Sequence, residues 1–557
     1  MMAGQDGIRL QESQWIDILA TCGRVVAKAE DFGMRRLLLA SVCCVLPLAA
    51  QAQSSLTIAA QSTPTAMDPH FHRANSNNAI LRQVFDPMVD FDNSGRIVPR
   101  LAEAWGATDD LTWEFRLREG VRFHDGTPLK ADDVAFSFAR LPLVPNSPGS
   151  FASTVRTVKS VDIVDDRTLR ITTSEPTPFL DAELTAVMVL SRQLHENSTT
   201  ADFNNGRAMI GTGAYRHLSY EQGNRLEVER NPGFWGDKAP WKRVQIRFVS
   251  NPGARVAALL SGDVDLIDGV PTQDVARLAA DPRVEIFSTE SNGTAYLFPD
   301  TARDQAPFIT DRDGKPLDKN PLRDVRVRQA LSMSMNREVI VGRLLAGQGR
   351  PAEQFASPVA IGRIPDRAPI PYDVARARAL LTEAGYPDGF RMTIHGPSGW
   401  FSGDTDVLQA IAQGFTRVGV ETRVEVLPTT TFFSRATNRD FAMFMTTYAS
   451  NLAAITLQQV LATRDTKTRM GPFNRQHYSN PEMDRTLLQA MQTMDEAKRN
   501  ALTAEAMRIA IDDVGVIPIF YPKAVWAGLK ARVRYDASPA WYTNALFATP
   551  ADTARSN

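Results

Sequence analysis

The sequence predicts an α/β protein built from more than one domain. Its 557 residues exceed what a single hydrophobic core usually organises, so two or three domains are expected. Apolar residues alternate with polar ones between Leu111 and Leu117, which indicates a half-buried strand. Further along, a strand at 392–394, a helix over 407–415 and an apolar strand at 441–445 follow one another. That order is typical of a parallel sheet covered by helices, with ligands bound at the loops after its strands.

The stretch 101–140 predicts a strand, a turn and a helix in succession. The turn residues at 125–128 are followed by Asp132, after which apolar residues take helical spacing. A second pair of strands is predicted at 161–163 and 169–171, where alternation resumes on both sides of a short polar turn. The aromatic residues of this stretch are expected to form a core.

Composition describes an ordinary soluble protein. The formal net charge is −1, 43% of residues are hydrophobic and 22% are charged. A chain with no excess of basic residues does not attract the negatively charged backbone of a nucleic acid, so a nucleic-acid partner is not expected.

All three cysteines, Cys22, Cys43 and Cys44, lie near the start of the chain. A basic start, a short apolar run and a small-x-small ending make residues 34–52 a predicted signal peptide, cleaved after Ala52. The apolar run is too short to span a bilayer permanently. The mature chain would contain no cysteine, and therefore neither a disulfide nor thiolate chemistry.

Met34 directly precedes the basic start of this signal, so residues 1–33 are predicted to be a mistaken upstream extension. Val42, rather than a small residue, precedes the first cysteine of the apolar run, which disfavours a lipid anchor. The sequence therefore predicts an exported, periplasmic protein.

Several motifs occur in a distinctive order. They are LAEAW at 101–105, FHDGTP at 123–128, ADDV at 131–134, GTGAY at 211–215, RNPGFW at 230–235 and LLSGDVDLI at 259–267. Together they resemble the family 5 extracellular solute-binding proteins, the peptide- and nickel-type binding components of ABC importers. The resemblance extends over nearly all of the mature chain.

This resemblance implies a two-lobed periplasmic-binding-protein fold of class II type, with an extra small domain inserted in the first lobe. The implied division gives lobe I in three parts, the extra subdomain within it, and lobe II. The ranges are 53–75, 191–305 and 521–557 for lobe I, 76–190 for the extra subdomain, and 306–520 for lobe II.

One loop that touches the ligand in this family follows the first strand. Here it carries Arg73 and Asn75, which we expect to contact a polar solute. His70 and His72, two positions apart, raise the alternative of a metal pair. No third ligand lies near them in sequence, so we favour two polar residues of a surface loop, and no metal or cofactor is expected.

Two further loops carry the other candidate ligand-binding residues: His395, Trp400 and Phe401 in the first, Tyr448 and Asn451 in the second. In peptide-binding members, the first loop commonly offers an arginine to the ligand carboxylate, and the second offers a tryptophan and an aspartate that takes the free amino group. In this chain the first loop has no arginine. In the second loop, Tyr448 replaces the tryptophan and Asn451 falls at or near the position of the aspartate.

These departures predict a neutral, ring-lined pocket, because an amide compensates poorly for a buried ammonium. Such a lining suits a blocked or uncharged solute. The alternative is that Trp400 and Tyr448 simply pack within their loops.

The sequence predicts a monomeric, non-enzymatic receptor that delivers a peptide or peptide-like solute to an inner-membrane ABC permease and its ATPase. Alternatives are a non-peptide solute, whether glycan-like, opine-like, metal or haem, and a chaperone or sensor that does not transport. A secreted hydrolase would have to use His124, Asp125 and His395. It is disfavoured because adjacent turn residues point apart, and no nucleophile lies nearby.

Overall fold

The computed structural model describes residues 55–468 and 470–551. The predicted upstream segment 1–33, the predicted signal peptide 34–52 and its cleavage point lie outside these residues. The strands are β1 Ser55–Ala60, β2 Val89–Phe91, β3 Ile97–Pro99, β4 Ala102–Ala107, β5 Thr112–Leu117, β6 Val158–Ile163, β7 Thr168–Thr173, β8 Tyr215–Glu221, β9 Arg225–Arg230, β10 Arg243–Phe248, β11 Leu266–Ile267, β12 Val284–Glu290, β13 Gly293–Pro299, β14 Ile309–Thr310, β15 Gly349–Pro351, β16 Phe390–Ser398, β17 Val420–Pro428, β18 Met443–Ala449, β19 Ile517–Leu529, β20 Val533–Tyr535 and β21 Ala548–Pro550. The helices are α1 Asn75–Leu81, α2 Ala131–Arg140, α3 Leu180–Leu184, α4 Arg192–His195, α5 Thr200–Asn204, α6 Pro252–Ser261, α7 Thr272–Ala280, α8 Val325–Met333, α9 Arg337–Val339, α10 Val374–Glu383, α11 Asp404–Arg417, α12 Thr429–Thr437, α13 Ala453–Val460, α14 Pro481–Met491 and α15 Glu496–Asp512.

One mixed sheet runs through both lobes. Its strand order is β14-β16-β18-β13-β19-β11-β1-β10-β9-β8, with β12 and β15 paired to β19 and β17 paired to β16. The long strand β19 is shared between the lobes. Its residues 517–522 pair with β13 and β15 of lobe II, and residues 523–529 pair with β12 of lobe I.

We propose that the chain passes between the lobes at two adjacent places, which we call the hinge. Ser291 and Asn292 connect β12 to β13, and Pro522 lies next to the middle residue of β19. The N–H and the Oγ of Ser291 both donate to the Pro522 carbonyl, at 3.2 and 2.6 Å. These bonds connect the two segments of chain that run between the lobes.

Separate hydrophobic cores stabilise the lobes and the extra subdomain. In lobe I, large side chains including Tyr215, Trp241 and Trp526 are buried on one face of the sheet. Lobe II is packed on both faces of its half of the sheet. Residues between Met88 and Val189 supply the core of the extra subdomain, beside the antiparallel sheet β4-β5-β7-β6.

Local patterns explain several of these elements. The alternation from Leu111 to Leu117 forms β5, in which Trp113 and Phe115 are buried, so that strand prediction is confirmed. Lobe II contains the predicted parallel arrangement, because β16 pairs in parallel with both β17 and β18. The α/β, two-lobed fold is therefore confirmed, and no helix of the described ranges is long and apolar enough to cross a membrane.

The crossings refine the predicted lobe ranges. Strand β13 pairs with β18 and with the lobe II part of β19, although the predicted range 191–305 assigns it to lobe I. We propose that the first passage between lobes lies at 291–292 and the second at 521–523, and we keep the other ranges as predicted.

His124 of the FHDGTP motif fastens the extra subdomain to lobe I. Its Nε2 contacts the Gly213 carbonyl at 2.9 Å, and the Gly211 N–H donates to its Nδ1 at 3.2 Å. Both glycines are required by close approach, because a Cβ on Gly213 would lie 2.6 Å from the carbonyl of Val84. Gly211 is similarly crowded, because a Cβ there would lie 2.0 Å from the same carbonyl oxygen.

An His124→Ala variant is expected to lose about 1–3 kcal/mol of unfolding free energy. It leaves the Gly211 N–H without its partner and removes one of the two bonds to the Gly213 carbonyl, which also accepts from Asn231 Nδ2 at 3.1 Å. Urea denaturation measures this loss. His217→Ala is the matched control, since that half-buried imidazole hydrogen-bonds to none of the described residues. Equal stability of the two variants would contradict the role of His124 in holding the extra subdomain against lobe I.

His70 is fully buried, with its Nε2 2.8 Å from the Met188 carbonyl, so the surface position expected for it is wrong. Together with His124, it is expected to make the protein less stable as the pH falls. Burial lowers the pKa of each from 6.5 to about 4. In that window the unfolded chain binds protons that the folded chain does not, so the free energy of unfolding decreases as pH falls. For each group, a pKa lowered from 6.5 to about 4 corresponds to roughly 3 kcal/mol. Urea unfolding between about pH 7 and pH 4.5 tests this, and a constant free energy would refute it.

Candidate ligand-binding site

A cavity of about 200 Å³ lies at the hinge, where lobe I and the extra subdomain face lobe II. Its polar lining residues include Arg73, Asn75, Asn78, Glu183, Asn292 and Asn451. Pockets for whole drug-sized ligands occupy roughly 300–1,000 Å³. The cavity therefore suits a small solute, or one end of a longer one.

A larger cavity of about 510 Å³ lies on lobe II, away from the hinge. Helix α8, segment 367–371 and the end of α15 line it with mostly apolar groups. Its charged residues, Arg367 and Asp512, pair with each other at 2.8 Å. All of its lining residues belong to lobe II, so a solute bound there would not contact both lobes. We therefore take the hinge cavity as the candidate site.

The first wall of the hinge cavity carries a charged pair. Arg73 Nη2 lies 2.7 Å from Glu183 Oε2, and both side chains are partly exposed. Arg73 is fixed by its own N–H, which donates to the Gly149 carbonyl at 2.9 Å. Helix α1 places Asn75 and Asn78 beside Arg73, and helix α3 carries Glu183. This wall offers both signs of charge to a solute.

The second wall is built from the end of β18 and the hinge. The Ser450 N–H donates to the Asn292 carbonyl at 3.0 Å, and Asn292 Nδ2 donates to Asn451 Oδ1 at 3.0 Å. The Asn451 carbonyl accepts from the Ile361 N–H at 2.8 Å. Asn451 is therefore held from both sides at the point where lobe II meets the hinge.

Arg73, Asn75 and Asn451 are the predicted site residues that the structure brings together around this cavity. The predicted pocket is neutral and lined by rings. The cavity does contain the rings of Phe91 and Tyr542, but it also contains an ion pair and four asparagines. The charge comes from Glu183, which has no recognisable motif and lies 110 positions after Arg73. Asn78 and Asn292 were also missed, because single asparagines carry no pattern.

Tyr448 directly precedes the lining residue Ala449, but neither Tyr448 nor Trp400 belongs to the lining itself. Burial raises the pKa of the Tyr448 phenol, on which the nearby Arg73 and Glu183 charges also act. Trp400 is 41% exposed and donates from Nε1 to Thr447 Oγ1 at 2.9 Å. The two residues belong to a row of aromatic side chains on lobe II that begins beside the cavity.

Arg475 connects this row. Its guanidinium lies 5.2 Å from the ring centre of Phe433 and 5.4 Å from that of Phe473. Trp400 packs edge-on against Phe433 at 5.1 Å, and Tyr448 lies 6.2 Å from Phe473. We call Trp400, Phe433, Arg475, Phe473 and Tyr448 the aromatic row.

Phe401 packs inward, edge-on against Phe520 at 5.5 Å. Its neighbour Ser402 bridges the lobes, because the Ser402 Oγ accepts from the Thr272 N–H at 3.1 Å and donates to Gln273 Oε1 at 2.9 Å. This loop thus contributes a contact between lobes rather than a lining side chain.

His395 does not line the cavity. Strand β16 continues to Ser398, so His395 lies within the sheet, fully buried, with its ring stacked 4.2 Å from that of Phe441. Its Nε2 lies 3.2 Å from Glu425, and burial lowers its pKa. The loop predicted to begin at His395 begins instead after Ser398, because β17 pairs with β16 along its full length.

The fold and the hinge cavity define a two-lobed binding protein that holds a solute between its lobes. Residues 96–457 match the family described as bacterial extracellular solute-binding proteins, family 5, middle region. The chain belongs to this family, as its motifs suggested. Family members are transport binding proteins, not enzymes, and they work with an ABC permease and its ATPase.

Relatives of known activity cover nearly the whole chain. The glutathione-binding protein GsiB of Salmonella typhimurium is 27% identical over 508 residues, covering 88% of this chain and 93% of GsiB. Heme-binding protein A of Haemophilus influenzae is 27% identical, covering 84% and 87%. The solved structure of HbpA2 from Haemophilus parasuis matches with a TM-score of 0.76 at 23% identity, covering 89% and 99%. The peptide complex of Helicobacter pylori DppA matches with a TM-score of 0.69 at 21% identity, covering 91% and 99%.

Proposed function

We propose that the protein is the periplasmic substrate-binding component of an ABC transporter, and that it captures a peptide or peptide-like solute between its lobes. It is exported by the signal peptide at 34–52, cleaved after Ala52, and acts as a monomer that presents the filled, closed form to an inner-membrane permease. Closure follows from binding because a solute that contacts both lobes stabilises the form in which they meet.

The observation that carries this proposal is the composition of the hinge cavity. Arg73 and Glu183 supply both charges, and the asparagines supply donors and acceptors for amide groups. A peptide has the same combination of charged ends and amides. A relative that binds glutathione and a structural neighbour holding the peptide STSA are consistent with a peptide-like solute.

A non-peptide solute is the second candidate, and the aromatic row favours it. Exposed rings beside a binding cavity provide stacking surface for planar or glycan-like groups. Capture of a solute lacking amide and amino groups would support this candidate over the first.

Native mass spectrometry of the freshly purified protein, followed by calorimetry, tests the proposal. The panel contains di-, tri- and tetrapeptides, glutathione and haem. We expect a retained peptide-like mass and saturable one-to-one binding, with thermal stabilisation equivalent to about 2.7 kcal/mol when the solute is at 100 times its Kd. A protein that retains nothing and binds no panel member would contradict the proposal.

A further inference from the structure

We infer that Arg475, in the middle of the aromatic row, is an oxyanion site. It binds a carboxylate or phosphate carried as a side group by the part of the solute that extends beyond the hinge cavity. This inference rests on the proposed function and names the solute class within it: peptide-like molecules with an acidic side group.

The aromatic row lies along lobe II between two places where this lobe meets lobe I. At one end, Tyr448 directly precedes a lining residue of the hinge cavity. At the other end, Trp400 lies two residues before Ser402, whose hydroxyl accepts from the Thr272 N–H of lobe I. Trp400 and Phe473 are each 41% exposed. A solute that fills the cavity and continues between the lobes therefore meets this row.

The guanidinium of Arg475 is held in position by its neighbours in lobe II. It lies over the rings of Phe433 and Phe473, at 5.2 and 5.4 Å from their centres, and its Nε donates to Thr437 Oγ1 at 3.4 Å. Phe433 and Thr437 are four positions apart on helix α12, so they share one face of that helix. Stacking on rings suits the flat guanidinium and fixes its plane before a solute arrives.

The outer edge of the same guanidinium is free. Its two Nη groups donate to none of the described residues, and neither is closed off from solvent. An arginine presents its N–H groups as a planar fork that matches the two oxygens of a carboxylate or phosphate. The part of Arg475 that remains available is therefore the part that recognises an oxyanion.

The charge of Arg475 is not balanced by the described residues. Other arginines of lobe II have carboxylate partners, such as Glu425 at 3.1 Å from Arg435 and Glu421 at 2.8 Å from Arg391. Arg475 forms no such pair with the part of the chain that the structure describes. Burial lowers the pKa of its guanidinium, and the charge of Arg464, a second cation, also lowers it. A half-buried cation beside another cation is unfavourable, and a bound oxyanion would relieve this imbalance.

The place of Arg475 within the row favours a side group over the end of a chain. Phe473 and Tyr448 lie between it and the hinge cavity, whereas Phe433 and Trp400 continue the row beyond it. A solute that ended at Arg475 would leave these last two rings uncovered. A solute that runs along the whole row passes Arg475 midway, where only a side group is left to contact it.

Calorimetry with tetrapeptide amides tests the inference on the unaltered protein. Each peptide contains alanine and a single glutamate or glutamine at the second, third or fourth position, so the only carboxylate is that of the side chain. We expect glutamate to bind about 10- to 100-fold more tightly than glutamine at one of these positions, because it forms charge-assisted bonds. A parallel series with phosphoserine and serine shows which of the two oxyanions the site prefers.

The Arg475→Gln variant should bind the glutamate peptide about 10- to 100-fold more weakly and the glutamine peptide almost as before. Arg475→Lys keeps the charge without the fork, so it should restore only part of the preference. Arg391→Gln is the matched control, because Arg391 is a lobe II arginine that already has a carboxylate partner. Circular dichroism melting shows whether each variant is folded.

Equal binding of the acidic and neutral peptides at every position, in both series, would overturn the oxyanion site and leave the proposed function standing. A preference for the acidic peptide that survives in folded Arg475→Gln protein would overturn it as well. A protein that binds no solute of any kind would overturn the proposed function itself.

Discussion

An Ala449→Trp protein is expected to fold normally and to bind its solute at least about 100-fold more weakly, which is about 2.7 kcal/mol. Ala449 is the last residue of β18 and is an exposed part of the cavity lining. An indole there takes up much of a space of about 200 Å³. Because the wild-type position is exposed, the added ring displaces solute rather than core side chains.

The affinity of Ala449→Trp is measured by calorimetry with the tightest-binding member of the solute panel. Ala107→Trp is the control, because Ala107 is also exposed at the end of a strand but lies in the extra subdomain, outside the cavity lining. Undiminished binding by Ala449→Trp would show that the solute occupies another place, such as the 510 Å³ cavity of lobe II.

An Asp68→Ala protein is expected to lose about 3–5 kcal/mol of unfolding free energy, because the change leaves a buried guanidinium without its carboxylate. Arg140 donates to both oxygens of Asp68, at 2.8 and 2.6 Å, and Thr200 Oγ1 donates to the same carboxylate at 2.9 Å. Burial by itself raises the pKa of Asp68, but the bonds and charge of Arg140 outweigh it and hold the pKa below its usual value.

Urea denaturation measures the loss, with Asp166→Ala as control. The Asp166–Lys130 pair spans 3.2 Å at the surface, and such pairs contribute about 0–1 kcal/mol. Asp68 also begins the loop that leads to Arg73, so weaker solute binding should accompany the lower stability. Similar stability of the two variants would contradict the role given to the buried pair.

Much of the fold could be predicted from local patterns. Strand β5 follows from alternation alone, and helix α2 follows from an acidic first turn and apolar spacing. The two-lobed fold was predicted from the family resemblance of FHDGTP and the other motifs. The structural role of His124 in FHDGTP could not be predicted, because its partners are backbone groups nearly 90 positions away in the sequence.

The site was only partly predictable. The positions of Arg73 and Asn451 at the cavity agree with the family loops that approach the solute, and their roles in binding stay a prediction. The error at His395 arose because Gly396 and Pro397 resemble the start of a loop, whereas pairing with β17 keeps them in a strand. Glu183 was missed because its position beside Arg73 depends on how the extra subdomain packs, which no local spacing records.

The crystal structure of the protein bound to its solute tests the central claim most directly. We predict density for a solute at the hinge, in contact with Glu183 on one side and Asn451 on the other, with the lobes closed upon it. Solute bound on the surface of one lobe, or in the 510 Å³ cavity of lobe II, with the hinge cavity unchanged, would contradict the account.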